Sequence, residues 1–451
     1  MSKESPIGVL IVAGLGVTFA VTTGILVLLT TSSYDVSGAV LVGPVLTAIS
    51  VPILAREAKR QGDPKVFRLL MIALLVKMLG ACLRYYITFH VYQAADATVY
   101  HNDGVDIAAQ LKAGTYEFDY SALDGSYSIS FITGVIYTII GPTKLGGFLF
   151  YSWLAFIGYL LLYKAFVFAV PEGRRRTYGL LLFFLPSLVF WPSSIGKEAW
   201  MIFTLGIAVY GVARALSGVV GRGLIWAGVG LWLMALVRPH IAGMVAIAFG
   251  LAYLIQRRQP SRSILRPIAR TVGALAVIVL AAVLVQRSAE FLGITELSTR
   301  GVVTELEETA VRSNSGGSEF RPVIVRSPTQ LPAAVATVLF RPFPFEANNA
   351  QALAVSLEAA FLLCLSVIRY RWVWNAFKRM RDRPYIAFAA AYTAIFIVAF
   401  ASFPNFGLLA RERVQVLPFF LLFLAIPPFS PLSEETGGQD LEARDRASPL
   451  R

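Results

Sequence analysis

Cysteine is nearly absent from this chain of 451 residues: only Cys82 and Cys364 occur, each inside an apolar run. They support neither a disulfide framework nor a thiolate metal site. The three histidines, His90, His101 and His240, are not spaced as HxxxH or HExxH, so no metal motif is present. The phosphate-binding P-loop, the dinucleotide glycine fingerprint and the GxSxG nucleophile elbow are all missing. The glycines at 14 and 16 lie inside an apolar run and read as packing positions. No cofactor is evident. A divalent cation is compatible with the carboxylates described below but is carried by no motif. With no ATP or nicotinamide site, the energy for any chemistry must arrive in an activated substrate.

Charge is scarce too. Only 15% of residues are charged and 56% are hydrophobic, whereas soluble domains carry about 25% charged residues. Many windows approach the ~20 apolar residues that cross a bilayer. The chain reads as an all-α, polytopic membrane protein. Spans are expected near 8–30, 38–55, 69–89, 143–168, 178–195, 197–216, 224–238, 241–255, 271–286, 351–368, 385–402 and 414–429. The first apolar run, Ile7–Leu29, is too long for a simple signal peptide and reads as a retained span. Residues 129–141 are apolar but only about half a bilayer long. They read as a re-entrant or interfacial segment, which is tolerated where protein or a cavity surrounds it.

The net charge of +13 bears on this topology. If 129–141 does not cross, the basic loops at 56–60, 174–176, 214–222, 257–270 and 369–383 all fall on one side. The positive-inside rule makes that side the cytoplasm. The excess charge is thereby assigned to topology and the lipid surface, with no nucleic-acid partner implied. About twelve spans, with both termini cytoplasmic, satisfy the rule. Residues 1–429 then form one transmembrane domain with outer loops at 90–128 and 287–349. Residues 299–312 read as a helix within the second loop. The polar stretch 430–451 reads as a disordered cytoplasmic tail.

The unusual residues collect on the outer side. The 90–128 loop holds six carboxylates, Asp96, Asp103, Asp106, Glu117, Asp119 and Asp124, beside His90 and His101. Spacings of three, four and seven would place Asp96, Tyr100, Asp103 and Asp106 on one face of a surface helix. A carboxylate at an apolar boundary suits general-base work, because partial desolvation raises its basicity. On composition alone, an ordinary solvated acidic loop is the commoner explanation. Trp191-Pro-Ser-Ser-Ile-Gly-Lys197-Glu198 breaks a span and opens the next. Its freed N–H groups, with Ser193, Ser194 and Lys197, would suit a phosphate, and Glu198 supplies a second carboxylate. A plain turn is about as good a reading. Arg238-Pro-His240, Arg341 and the pair Arg411 and Arg413 are further outer cations. A guanidinium grips phosphate in a planar fork. Taken singly, each is more often a snorkelling anchor. Together they break the charge rule that the other loops obey.

In order along the chain come Asp96-Ala-Thr-Val-Tyr100-His101, the short apolar segment Ile129–Gly141, a span with Tyr159-Leu-Leu-Leu-Tyr163, and Leu185-Pro186 with Glu198 about a dozen positions on. This order resembles the GT-C superfamily of integral-membrane glycosyltransferases, over roughly residues 67–240. Two features depart from its usual pattern: two additional spans precede the acidic loop, and the bulky soluble C-terminal domain of some members is absent. The resemblance implies a GT-C-like fold in the cytoplasmic (inner) membrane. It implies a sugar donor carried on polyprenyl phosphate and a cell-envelope glycan or lipid acceptor. It makes Asp96 the base, Glu198 the second acidic position and Asp103 a reserve. Lys197, Arg238, Arg411 and Arg413 would hold the departing phosphate, with Arg341, His240, Tyr100 and His101 nearby. Two other functions fit the same chain. One is a polymerase or ligase of lipid-linked polysaccharide repeats, which relies on outer arginines. The other is a flippase or transporter, for which Lys77 and Arg84 inside a span are the main hints.

Overall fold

A computed structural model describes residues 34–92, 96–118, 125–255, 286, 320 and 322–428. The expected span 8–30, most of the span 271–286, the helix 299–312, the basic loop 257–270 and the tail 430–451 lie outside the described residues.

The described residues are helical, with no strand among them. In order they are α1 (Tyr34–Gln61), α2 (Pro64–Tyr86, continued by a π-helical turn Ile87–Tyr92), α3 (Asp96–Ala113), α4 (Gly125–Ile140) and α5 (Lys144–Ala169). Then come α6 (Arg175–Phe184), α7 (Pro186–Phe190), α8 (Lys197–Leu216), α9 (Val220–Ala235) and α10 (Pro239–Ile255). The last group is α11 (Leu331–Phe340), α12 (Ala350–Ile368), α13 (Tyr370–Lys378), α14 (Pro384–Phe400), α15 (Phe406–Glu412) and α16 (Leu417–Phe423).

Five of these are long and apolar enough to cross a membrane: α1, α2 as far as Val91, α5, α8 and α12. Helices α9, α10 and α14 are apolar but have 16, 17 and 17 residues. At 1.5 Å per residue they fall short of a ~30 Å hydrocarbon core. The outer surface of the bundle is apolar. Helix α1 exposes Leu41, Val45 and Ile49, and α2 exposes Ile72, Leu75, Leu79 and Leu83. Such stripes face lipid at no cost, whereas in water they would drive association.

Two expected spans are broken. The stretch 178–195 divides at Pro186 into α6 and α7, and 191–196 is not helical. Proline has no N–H to give and its ring clashes with the preceding turn. The stretch 414–429 becomes a 3-10 turn, Arg413–Gln415, followed by the seven-residue α16 with Pro418 in its first turn.

Helix contacts fix which ends lie together. Along α5 and the stretch that enters α8 the pairs run Ser152 to Ser193, just before α8, then Gly158 to Ile202 and Lys164 to Tyr210, so the two helices are parallel. A Cβ on Gly158 would fall 2.3 Å from the Ile202 carbonyl oxygen, so the approach requires glycine. Helix α9 runs back along α8 through Ala208 to Gly230 and Ala215 to Gly223. Helix α1 is parallel to α5: Asp35 accepts from the Lys144 N–H at 2.8 Å, and Trp153 donates to Ser50. The start of α1, α5 and α8 and the end of α9 therefore share one end of the bundle.

Helix α4 is pinned at both of its ends to that same end. Ser128 donates to the Leu236 carbonyl at 2.7 Å, and at its other end Gly141 abuts Tyr34. It lies along the end of the bundle instead of passing through it. Helix α3 packs along α4, with Gly104 against Thr133 and Gly134 against Ile107. The opposite end gathers the basic residues. There Arg379 and Arg383 meet Glu172, Lys164 meets Glu57, and the Arg369 side chain caps the Leu424 carbonyl.

Candidate active site

The platform of α3 and α4 brings Asp96 over the start of α8. Asp96 opens α3, and its carboxylate stays more than half exposed. Glu198 lies in the first turn of α8, almost wholly buried. Arg411, near the end of α15, sits between them. Its Nε donates to Glu198 at 2.6 Å and its Nη2 to Asp96 at 2.9 Å. Arg238, in the turn between α9 and α10, donates to Glu198 at 3.4 Å and pairs closely with Glu412. Gln415 donates to the same Glu412 oxygen at 2.8 Å. One continuous network thus joins three carboxylates and two guanidiniums from four separate stretches of chain.

The charges sustain one another. Glu198 beside it, with Glu412 and Asp96, pushes Arg411 further above its already high pKa. Burial works to lower Arg238, but Glu412 and Glu198 overcome that and the net shift is upward. Both guanidiniums are fixed cations. Tyr100, one turn along α3 from Asp96, is 3% exposed. Burial drives its hydroxyl up to about 12, so it remains a neutral donor at the edge of the network. Lys197 reaches Ser126 at 3.0 Å, and His240 lies close enough to feel both Arg238 and Lys197.

The anion site expected at the start of α8 is occupied from within. Glu198 meets its own backbone N–H there, where the helix dipole favours a negative charge. Ser193 turns inward instead, to the Val189 carbonyl and Ser152.

Other expected site residues stand apart. Arg413 is fully buried, and its Nη1 donates to the carbonyls of Leu339 and Arg341 at 3.2 and 3.0 Å. Arg341 closes on Glu346 and stacks on Phe320 and Phe406. Asp103 accepts from Ser130 at 2.7 Å. His101 bonds Tyr137 at 2.7 Å, and burial lowers its pKa with Lys144 adding to the effect. Asp106 and Glu117 are exposed on or beyond α3, while Asp119 and Asp124 fall outside the described residues.

The cations inside the spans brace the broken helix. Lys77 donates to the carbonyls of Leu188 and Val189 at 2.8 and 3.1 Å, where α7 ends. At the other end of α7, Glu358 accepts from the Ser187 N–H at 2.6 Å, a donor left over by the helix start. Arg84 lies 4.8 and 4.9 Å from the ring centres of Phe190 and Trp191.

Reading the sequence alone missed Glu412, Gln415, Ser126 and Glu358. Glu412 did carry a signal, an acid between two arginines at a span edge. Glu358 in an apolar helix is a second such signal, since an intramembrane acid is costly unless paired. Among the described residues no three His, Cys, Asp or Glu side chains gather to hold a metal ion. No family model, curated protein or solved structure matches this chain.

Proposed function

We propose that the chain is a membrane glycosyltransferase that moves a sugar from a polyprenyl-phosphate carrier to a cell-envelope glycan or lipid acceptor. The observation that carries this reading is the convergence of Asp96, Glu198, Arg238 and Arg411 at one end of the bundle. In this reading that end faces outward, the basic end faces the cytoplasm, and both termini are cytoplasmic. The complete chain then has about twelve spans in a GT-C-like arrangement.

The chemistry follows from placement. Asp96 is the exposed carboxylate of the network and the one that an acceptor hydroxyl can reach. The acceptor oxygen attacks the anomeric carbon as the bond from that carbon to the phosphate oxygen breaks. The bonding electrons leave with the lipid phosphate, and the hydroxyl proton passes to Asp96. Arg411 and Arg238 stabilise the charge that grows on the phosphate, which lowers the barrier. Glu198 does not act on substrate in this scheme. It is a positioning residue that holds both guanidiniums in place, and Glu412 holds Arg238 from its other side.

The experiment is transfer from a labelled polyprenyl-phosphate sugar by wild type and Asp96→Asn. The variant should lose about 100-fold or more in turnover, the usual reach of general-base catalysis. Wild-type turnover in Asp96→Asn removes Asp96 as the base. A second reading, joining of lipid-pyrophosphate-linked repeats, is favoured by the pairing of Asp96 to Arg411. That pairing engages the carboxylate and leaves the arginines as the chemical feature. It predicts loss of activity in Arg411→Gln with Asp96→Asn unharmed.

A further inference from the structure

The network holds three carboxylates, Asp96, Glu198 and Glu412, and two guanidiniums, Arg238 and Arg411, and Lys197, which reaches Ser126 beside it, brings a third positive charge. With Lys197 counted, the cluster is formally neutral. A phosphate arriving there finds no net attraction, and both of Arg411's known contacts are already taken by carboxylates. It can be gripped only if one carboxylate gives way.

Burial decides which one. The Glu198 side chain is 4% exposed and holds two guanidiniums. The Glu412 side chain is 8% exposed and is held by Arg238 and Gln415. Displacing either strands a buried charge, which is strongly unfavourable. The Asp96 side chain is 57% exposed and accepts one hydrogen bond, from Arg411 Nη2 at 2.9 Å. Water solvates it readily once it is released, and an exposed ion pair is weakly held.

We propose that Asp96 and the lipid phosphate exchange at the same edge of Arg411, so that phosphate binding releases the base. This rests on reading the cluster as a phosphate and base site. While the site is empty, Arg411 Nη2 engages the Asp96 carboxylate and holds it away from an acceptor hydroxyl. When the phosphate takes the Nη2 edge, Glu198 keeps the guanidinium in position through Nε. Asp96 then faces the acceptor without its cation and can take a proton. When the lipid phosphate departs, Asp96 returns to Arg411. The donor therefore binds first, and a site without a donor has no competent base.

The test is binding of a short-chain polyprenyl monophosphate to the purified full chain in detergent, followed by calorimetry. Wild type, Asp96→Asn and Asp106→Asn are compared. Asp106 is exposed on the same helix and serves as the control for removing one negative charge. Asp96→Asn should bind about three- to fivefold more tightly, the gain from removing an exposed competing ion pair. Asp106→Asn should bind as wild type does. If wild type and Asp96→Asn bind equally, the exchange is refuted while the phosphate site stands. Equal tightening in Asp106→Asn also refutes it, because the gain is then general electrostatics. If the folded wild type and Asp96→Asn both fail to bind, the phosphate reading falls with it.

Discussion

Glu198 is the residue on which the cluster depends, and replacing it with glutamine tests that dependence. The substitution keeps the size and shape of the side chain but removes its charge. Two guanidiniums at 2.6 and 3.4 Å are then left facing a neutral amide in a nearly closed site. Breaking a buried ion pair costs about 3–5 kcal/mol. Each arginine retains one other partner, Asp96 for Arg411 and Glu412 for Arg238. The expected loss for Glu198→Gln is therefore nearer ~2–3 kcal/mol. Arg411→Met should cost about 2 kcal/mol, because Glu198 then keeps only the longer contact to Arg238. The double variant removes both charges together, so it should be less damaging than the sum of the two. A coupling of about 1.5 kcal/mol or more is expected for residues in direct contact within one network. The assay is equilibrium unfolding in mixed micelles, with the four proteins compared as a double-mutant cycle. Additivity within about 0.5 kcal/mol, the behaviour of independent sites, would refute the network as drawn.

Three further outcomes follow from other parts of the structure. Lys77→Ala should lose about 2 kcal/mol in the same unfolding assay, because two carbonyls at the end of α7 lose their buried donor; wild-type stability would show that α7 does not need this cap. Gly158→Leu should prevent α5 and α8 from meeting, since even a Cβ there falls 2.3 Å from the Ile202 carbonyl oxygen; a folded, wild-type-like variant would contradict the packing. His101 has a folded pKa below its ordinary 6.5. Its contribution to stability is therefore complete above about pH 6.5 and is lost as the pH falls through the lower folded value. His101→Gln should flatten that acid-side decline, and an unchanged pH profile would count against the assignment.

Sequence alone determined the all-helical, apolar class of the protein. Long apolar runs leave the backbone no choice but to bond internally, and helices do this within one segment. The break at Pro186 was not legible in this way, since Pro44 and Pro52 lie within the unbroken helix α1. The basic residues at 56–60, 174–176 and 369–383 lie at one end of the bundle, and Asp96, Glu198, Arg238 and Arg411 meet at the other.

Tertiary structure decided which of these charges meet. Arg411 and Arg413 are two residues apart and chemically identical. On a helical turn they point about 200° apart, since each residue advances roughly 100°. One therefore reaches Glu198 and Asp96, and the other enters the interior to meet the carbonyls of Leu339 and Arg341. Arg341 looked equivalent in sequence, yet Glu346 five residues on captures it locally. Glu198 looked like a second catalytic acid, yet closure of α15 over α8 buries it between two arginines. Pairing across 174, 213 and 315 residues of chain depends on how the helices pack. No short-range pattern carries that information, because the partners come together only when the bundle is complete.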